Sequence, residues 1–317
     1  MTKPTISTVA VVGTGVIGRS WMLLLARAGC HTRIYDCDPA KVEEAVQWLE
    51  EDLELNRQDG LLSAEEAKAT RDRVTFHHSL GEALNGVGYV QESGPERMEL
   101  KQALYADLDR AADPAAILGS STSGLEMTKI AAGLTGARRC IVTHPVNPPH
   151  VIPVVEILAG KETDRQVVDR TCAFLVSVGQ TPVVVNFYLP GFLLNRMQAA
   201  LVREAINLVE SGAADVNAVD AVICDGLGLR WALMGPFGVA NTNADGGVRE
   251  YFSRYKQAYL GLMNNLGSTP SFDPALIEQL GKATDAMVGN APRAEIRRWR
   301  DRLVRKIRAV KEGDPGP

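Results

Sequence analysis

The sequence predicts an α/β fold in which a doubly wound, mostly parallel sheet is followed by an all-helical domain. Two observations support this class. In the first part of the chain β-branched runs alternate with helix-like segments, an order typical of parallel sheets with helical crossovers. Beyond Pro190-Gly191 almost every segment has a helical composition. We therefore predict two domains, residues 1–189 and residues 190–317, with the boundary near Tyr188 to Pro190.

The first element is a strand that leads through a glycine turn into a helix. Residues 6–12 form a β-branched run, as expected of a buried parallel strand. Residues 16–28 have a helical composition closed by Gly29, and a second strand over residues 32–36 stops at polar residues. Strand, turn, helix and strand within about 30 residues make the βαβ unit with which a Rossmann-type sheet begins.

The remaining elements alternate more loosely. Further strands are predicted at residues 87–91, 115–119, 140–143, 154–158 and 182–185, with helices at residues 96–112 and 165–178. In the second domain helices are predicted at residues 192–210, 216–225 and 294–311, with a long helical stretch that runs through Tyr259. Only the last residues, 313–317, are predicted to be disordered.

Composition and charge narrow the functional class. With 317 residues, 45% of them hydrophobic and 23% charged, the chain is typical of a two-domain globular protein. The net charge is −4, and the Lys and Arg residues are spread along the chain. Nucleic acid is therefore not expected as a partner, because phosphate binding requires a concentrated basic surface.

Cysteine spacing and hydropathy exclude further classes. The five cysteines are widely spaced without a Cys-x-x-Cys pair, so we predict no metal site and expect small buried thiols in a reducing compartment. No apolar run reaches the roughly 18 residues of a membrane span, and no signal peptide is predicted. The resulting expectation is a cytoplasmic protein without a membrane partner.

The glycine-rich turn is the candidate cofactor site. Residues 13–18, Gly-Thr-Gly-Val-Ile-Gly, match the GxGxxG pattern, which is informative here because it follows a strand and opens a helix. In order, the three glycines permit a tight turn, let the backbone approach a pyrophosphate, and allow close packing of helix and strand. The helix N-terminus attracts phosphate groups. The predicted cofactor contacts in this turn are Gly13, Gly15, Val16, Ile17 and Gly18.

Asp36 distinguishes between the cofactors that this motif can bind. It lies 23 residues after Gly13 (36 − 13 = 23), at the end of the second strand. A carboxylate at this place accepts hydrogen bonds from both ribose hydroxyls of NAD and repels the 2′-phosphate of NADP. FAD binding and a surface aspartate without a ligand are the alternatives. The motif, its context and Asp36 together favour NAD.

Three segments place polar side chains where a strand meets a loop, the edge at which doubly wound sheets bind ligands. Ser123 lies in the first, residues 119–124, and a cap for the following helix is its alternative role. In the second, His144 precedes a proline-rich turn, and the ordinary pKa of histidine suits proton transfer near neutrality. Glu156 on the next strand can pair with this imidazole and fix its tautomer, unless it faces outward. In the third, Asn195 lies in an apolar helix, where an amide needs a partner.

Together these residues resemble the 3-hydroxyacyl-CoA dehydrogenase superfamily, and within it the lambda-crystallin (L-gulonate 3-dehydrogenase) branch most closely. The resemblance runs from Val9 to about Trp299. An ordered set of segments carries it, which is more specific than any one motif. The segments are residues 13–18, 91–96 with Lys101, 120–123, 144–148, 155–157 and 191–196.

The resemblance implies a role for each candidate. His144 is implied to be the general base that takes the proton of a 3-hydroxyl as hydride leaves for NAD, with Glu156 supporting it. Ser123 and Asn195 are implied to hydrogen-bond the reacting oxygen. Further cofactor contacts are implied at Glu96, Lys101, Ser123 and Asn147.

Arg230 bears on the substrate. It lies where acyl-CoA enzymes of the superfamily carry an uncharged residue, and the lambda-crystallin and L-carnitine dehydrogenase branches resemble this sequence there. A guanidinium in an apolar loop needs a partner, which a substrate carboxylate can supply in bidentate form. An ion pair with Asp225 or another acid of the chain is an equal alternative. The first interpretation favours a free acid over a CoA thioester.

We therefore predict an NAD-dependent L-3-hydroxy acid dehydrogenase with an L-gulonate-like preference. An L-3-hydroxyacyl-CoA dehydrogenase of fatty acid metabolism is the second interpretation. A non-enzymatic, crystallin-like structural protein is an alternative from another class. The last alternative is an L-carnitine dehydrogenase, whose trimethylammonium substrate needs an aromatic or acidic cage. The rings available for such a cage are Trp231, Phe237, Tyr251 and Phe252.

The last predicted helix bears on assembly. It is basic and carries one apolar stripe, which packs either within the chain or against a second copy. The resemblance implies a homodimer formed through this domain. The stripe consists of Ile296, Trp299, Leu303, Ile307 and Val310.

Overall fold

The computed structural model describes residues 3–289 and 291–314, and the chain divides into two compact units, Met1–Leu194 and Asn195–Pro317. The division falls five residues after the predicted boundary (194 − 189 = 5). Residues 190–194 belong to the first unit because Phe192 is fully buried and the amides of Leu193 and Leu194 donate to Glu156. Of the segment predicted to be disordered, Gly313 ends a helix, and residues 315–317 lie outside the described residues.

The first unit is built on one eight-stranded sheet, as the fold class predicted. Its spatial order is β3-β2-β1-β4-β5-β6-β7-β8. The β6–β7 pair is antiparallel, and all other neighbours are parallel. The chain reverses its direction of travel across the sheet between β1 and β4, the position where doubly wound sheets bind ligands. The strands are β1 (Thr8–Val12), β2 (His31–Tyr35), β3 (Val74–Phe76), β4 (Tyr89–Glu92), β5 (Ile117–Ser120), β6 (Cys140–Pro145), β7 (Val154–Ala159) and β8 (Thr181–Val185).

Both faces of the sheet are buried along its central strands β1, β4, β5 and β6, which explains why β1 is a β-branched run without polar alternation. Along β1, Val9 and Val11 join one hydrophobic cluster, whereas Ala10 and Val12 join the other. The sequence pattern did not predict the elements of residues 39–76, because α2 is strongly charged and buries few side chains. The helices are α1 (Val16–Arg27), α2 (Pro39–Gln58), α3 (Ala64–Asp72), α4 (Leu80–Leu84), α5 (Met98–Ala111), α6 (Met127–Ile130) and α7 (Arg165–Ser177).

In the described residues beyond Leu194, regular structure is helical throughout. Its helices are α8 (Leu194–Glu210), α9 (Val216–Ala221), α10 (Gly228–Trp231), α11 (Pro236–Thr242), α12 (Gly247–Asn264), α13 (Pro274–Val288) and α14 (Arg293–Gly313), with a π-helical turn at Val222–Leu227. α8 begins two residues later than predicted because Gly191 and Phe192 have φ angles of 78° and 49°, which a right-handed helix excludes. The long helical stretch predicted through Tyr259 is divided by Gly235 and Gly246, which precede α11 and α12.

The cysteines are all free, but they do not share one environment. Cys30 and Cys140 are buried, as predicted. The prediction was wrong for Cys37 and Cys224, which are exposed because one follows the end of β2 and the other lies in the π-helical turn. Within the described residues, no helix combines the length and the apolar character needed to cross a membrane.

Candidate active site

The glycine turn after β1 has a backbone that other residues cannot adopt without displacement. Gly13 has a φ of 94°, and a Cβ there would lie 2.8 Å from the carbonyl carbon and oxygen of Ser93. A Cβ on Gly18 would lie 1.8 Å from the carbonyl oxygen of Gly13. The first and third glycines therefore allow strand, turn and helix to pack closely, as the motif predicted.

The middle of the turn has the open space that a dinucleotide pyrophosphate requires. A Cβ on Gly15 would meet no atom within 4 Å, and Val16 in the first turn of α1 is 55% exposed. Gly15 is the N-cap of α1 and provides no side-chain cap, so the first amides of the helix are available to an anion. Together with Ile17, these residues fit the pyrophosphate of NAD.

Asp36 is held in place beside this turn. Its Oδ2 accepts from the backbone amide of Thr14 at 2.7 Å and from the Thr14 hydroxyl at 3.0 Å. Its Oδ1 accepts from the amide of Asp38 at 3.0 Å. The carboxylate that is predicted to bind ribose is thus fixed to the loop that is predicted to bind phosphate.

Replacing Asp36 by alanine is expected to raise the KM for NAD about 10-fold, because hydrogen bonds to a charged group contribute about 1.5–3 kcal/mol. The preference for NAD over NADP is expected to fall as well, since the repulsion of a 2′-phosphate is lost. Initial rates with both cofactors measure the effect. Asp38→Ala is the control, because this nearby exposed carboxylate caps α2. Unchanged cofactor selectivity in Asp36→Ala would contradict the assignment.

A buried ion pair lies at the end of β4. Lys101, 2% exposed, places its Nζ 2.8 Å and 2.9 Å from the two carboxylate oxygens of Glu92, which is completely buried. Glu92 also accepts from the Ser120 hydroxyl at 2.6 Å and from the amide of Gly94 at 2.6 Å. Lys101 therefore points at Glu92 in this structure, and its contact with the cofactor stays a prediction.

Glu96 holds the serine loop that follows β5. Its Oε1 accepts from the Thr122 hydroxyl at 2.6 Å, from the Ser123 amide at 2.9 Å and from the Gly124 amide at 3.1 Å. The Ser123 hydroxyl, 3.2 Å from the same oxygen, lies on an exposed residue. Ser123 does not cap the next helix, which has Glu126 at its N-cap. The loop thus presents Ser123 outward on a fixed backbone.

His144 and Glu156 face each other across the antiparallel pair of β6 and β7. The imidazole Nδ1–H donates to Glu156 Oε2 at 2.8 Å, and the two residues are 6% and 2% exposed. Glu156 therefore does not face outward. Its Oε1 accepts from the amides of Leu193 at 2.7 Å and Leu194 at 3.0 Å. Both carboxylate oxygens are used, and the tautomer of His144 is set by one of them.

The other imidazole nitrogen is available for proton transfer. Within residues 3–289 and 291–314, His144 Nε2 has no hydrogen-bond partner. Phe192 packs edge-on against the imidazole with ring centroids 5.4 Å apart. The Tyr188 hydroxyl donates to the carbonyl of Gly124 at 2.9 Å. The turn over residues 188–192 thus contacts both the histidine and the serine loop.

The remaining predicted site residues lie outside this hydrogen-bonded set. Asn147 is exposed two residues after β6. Asn195 lies in the first turn of α8 and Arg230 in α10, both in the second unit, and Arg230 is exposed. Over the described ranges Arg230 forms no ion pair, so the alternative pair with Asp225 is absent there. The roles of these three residues stay predictions.

Sequence patterns did not single out Glu92 and Phe192 as functional residues. Glu92 ends a buried strand, and a buried carboxylate requires a charged partner, here the lysine nine residues later. A glutamate at the end of an apolar strand, with a lysine nine residues later, could have indicated this ion pair from the sequence. Phe192 looked like an ordinary helix residue, and only its positive φ after Gly191 directs it to the imidazole.

Two family models match the chain in succession. The NAD-binding domain of 3-hydroxyacyl-CoA dehydrogenase matches residues 8–187, and the C-terminal domain of the same family matches residues 191–284. The matched segments together cover most of the chain. NAD is accordingly the cofactor, in agreement with the glycine turn and Asp36.

Individual relatives are similar over most of their length. Lambda-crystallin from Oryctolagus cuniculus is 37% identical, with 98% of each chain covered. L-Carnitine dehydrogenase from Oceanobacillus iheyensis is 40% identical over 72% of this chain and 73% of its own. Among solved structures, the NAD+-dependent 5-formyl-3-hydroxy-2-methylpyridine 4-carboxylic acid 5-dehydrogenase superposes with a TM-score of 0.81. It is 30% identical, with 98% of this chain and 99% of that chain covered.

Proposed function

The chain belongs to the 3-hydroxyacyl-CoA dehydrogenase family and is an NAD-dependent oxidoreductase, and from this premise we propose that it oxidises the 3-hydroxyl of a small free L-3-hydroxy acid, L-gulonate-like, to the 3-keto acid. The buried His144–Glu156 pair carries the proposal. It provides a general base whose Nε2 is unpartnered in the described structure and whose protonated form a carboxylate stabilises.

The steps assigned to the first unit use the contacts described above, and the role given to Asn195 rests on the family resemblance alone. Residues 13–18 and Asp36 would hold NAD, which when bound supplies the hydride acceptor. His144 Nε2 takes the hydroxyl proton, and Glu156 stabilises the resulting imidazolium through Nδ1–H. The amides of Leu193 and Leu194 orient the Glu156 carboxylate by donating to its Oε1. The exposed Ser123 hydroxyl and Asn195 hydrogen-bond the reacting oxygen.

The preference for a free acid rests on Arg230. Its guanidinium is exposed and has no ion-pair partner in the described part of the chain, so it is available to a carboxylate. Two of the similar proteins have carboxylic acids in their names, L-carnitine and a pyridine 4-carboxylic acid. A CoA thioester, which the family name suggests, is the second candidate.

The ring contacts do not provide the aromatic cage that L-carnitine would need. Tyr251 and Phe252 pack edge-to-face with centroids 5.4 Å apart, and Tyr255 and Tyr259 join them on α12. Among the described ring contacts, neither Trp231 nor Phe237 belongs to this group. The four rings that the sequence offered for a trimethylammonium cage are thus not assembled into one.

Arg230→Ala is expected to raise the KM for L-gulonate about 10–100-fold, because a bidentate charged hydrogen bond is lost. The KM for NAD is expected to stay the same. Initial rates of NADH formation with varied acid measure both constants. Arg249→Ala is a matched control, since Arg249 is another exposed arginine of the second unit without an ion pair in the described residues. An unchanged KM for the acid would remove the support for a free carboxylate.

We also propose that the protein is a homodimer that assembles through α14. In this helix Trp299, Ile307 and Val310 are 56%, 50% and 69% exposed, so the described residues of the chain do not cover the apolar stripe. Ile307→Asp is expected to halve the mass measured by light scattering, whereas Lys311→Asp, on an exposed basic position, is expected to leave it at two chains. A single-chain mass for the wild type would refute this assembly. The cytoplasmic location stays a prediction.

A further inference from the structure

A buried group of polar side chains joins the ends of three strands. It consists of Tyr89 and Gln91 on β4, Thr143 on β6, and Ser121 just after β5, and we call it the Gln91 cluster. Tyr89, Gln91 and Thr143 are completely buried. Since neighbouring residues of a strand point to opposite faces, Thr143 places this cluster on the face of the sheet opposite to His144.

Gln91 uses both ends of its amide. Its Oε1 accepts from the Tyr89 hydroxyl at 2.5 Å and from the Thr143 hydroxyl at 3.0 Å. Its Nε2 donates to the Ser121 hydroxyl at 2.8 Å and to the Thr143 carbonyl at 3.5 Å. Burial raises the pKa of the Tyr89 phenol, so this hydroxyl stays a donor. A buried amide with all four positions occupied fixes its neighbours closely.

Gly119 makes this reach across the sheet possible. It lies between the two strands on β5, opposite Gln91 in the parallel register. A Cβ on Gly119 would lie 2.6 Å from the Thr143 hydroxyl and 2.6 Å from the Tyr89 hydroxyl. The missing side chain therefore leaves the space in which β4 and β6 are joined by hydrogen bonds across the intervening strand.

The cluster connects the three parts of the candidate active site. Thr143 directly precedes His144, and Ser121 lies two residues before Ser123. The Ser121 hydroxyl also lies 2.8 Å from that of Ser93, whose backbone packs against Gly13 in the glycine turn. A shift of Gln91 would displace the serine loop relative to the histidine strand.

We propose that Gln91 is a positioning residue for the dehydrogenation, which sets the separation of the Ser123 hydroxyl and the His144 imidazole through Ser121 and Thr143. The inference rests on the roles proposed above for His144 and Ser123. It requires no contact between Gln91 and the substrate, because a misplacement of about 1 Å in a reacting pair can cost 10²-fold in rate.

The test compares Thr143→Val with Thr32→Val. Both threonines are completely buried in strands of the same sheet, but among the residues that the structure describes the Thr32 hydroxyl bonds only to the carbonyl of Cys30. Thr143→Val is expected to lower kcat about 10-fold with an unchanged KM for NAD, and Thr143→Ser to restore it. Thr32→Val is expected to lower the Tm without changing kcat. Gln91→Met is expected to match Thr143→Val, and the double variant to add little more.

Two results would overturn the proposal. One is a wild-type kcat in Thr143→Val. The other is a loss of kcat in Thr32→Val that matches the loss in Thr143→Val, because both would then follow from lower stability. If Gln91→Met does not fold, the Thr143 variants alone still test whether the cluster positions the two catalytic groups. Rates are measured with whichever substrate the wild type oxidises, free acid or CoA thioester, so an error in the substrate leaves this comparison valid.

Discussion

Replacing His144 by alanine is expected to lower kcat about 10³-fold while the affinity for NAD stays the same. Positioned general bases contribute about 10²–10⁴-fold to rates, and His144 Nε2 is the atom we assign to that role. The glycine turn and Asp36 do not depend on the imidazole, because their hydrogen bonds are made to one another and to Tyr35, Asp38 and Lys41. NADH absorbance measures kcat, and titration calorimetry measures the binding of NAD.

His78→Ala is the control for this variant, because His78 is an exposed histidine of the same unit. It is expected to keep the activity of the wild type. If His144→Ala also kept that activity, another group would have to be the base, and the assignment of the site would fail. If the protein had only a structural role, the wild type itself would show no turnover, and neither substitution would have an effect.

Glu156→Gln is expected to lower kcat at least about 10²-fold, through the tautomer of His144. The glutamine oxygen can still accept from the amides of Leu193 and Leu194, so its NH₂ group then faces Nδ1. Nδ1 must become the acceptor, and the imidazole proton moves to Nε2, which can no longer take a proton from the substrate. The imidazolium also loses the carboxylate that stabilises it.

This variant separates catalysis from folding. Glu156→Gln keeps the partners of both amides and is expected to unfold near the wild-type Tm, whereas Glu156→Ala leaves two amides without their acceptor and is expected to be less stable. Glu126→Gln, which changes a partly exposed carboxylate paired with Lys129, is the control for charge removal. Wild-type kcat in Glu156→Gln would show that the pair does not set the tautomer.

The cofactor half of the site was predictable because its signals are local in the sequence. The flanking β-branched runs, the glycine spacing and Asp36 lie within 31 residues (36 − 6 + 1), and each reports directly on a turn or a strand. The pairing of His144 with Glu156 followed from a short proline-rich turn between two strands. The structure places the two in register on β6 and β7.

The other parts of the site and of the fold could not be predicted, because they depend on contacts between residues far apart in the chain. The Gln91 cluster joins β4 to β6 across 52 residues, and nothing near Gln91 in the sequence indicates that Thr143 is its partner. Glu96 was likewise named only as a cofactor contact implied by the resemblance, although it accepts hydrogen bonds from the loop around Ser123. In the second unit, helix composition alone did not show that Gly235 and Gly246 divide the long helical stretch.

The substrate is tested most directly by NADH formation from L-gulonate, L-3-hydroxybutyrate and L-3-hydroxybutyryl-CoA, each supplied with NAD at the same concentration. A dehydrogenase of free 3-hydroxy acids is expected to oxidise both acids, with the higher kcat/KM for L-gulonate, and to turn over the thioester poorly. Oxidation of L-3-hydroxybutyryl-CoA alone would contradict the proposal and would leave Arg230 without a substrate carboxylate to bind.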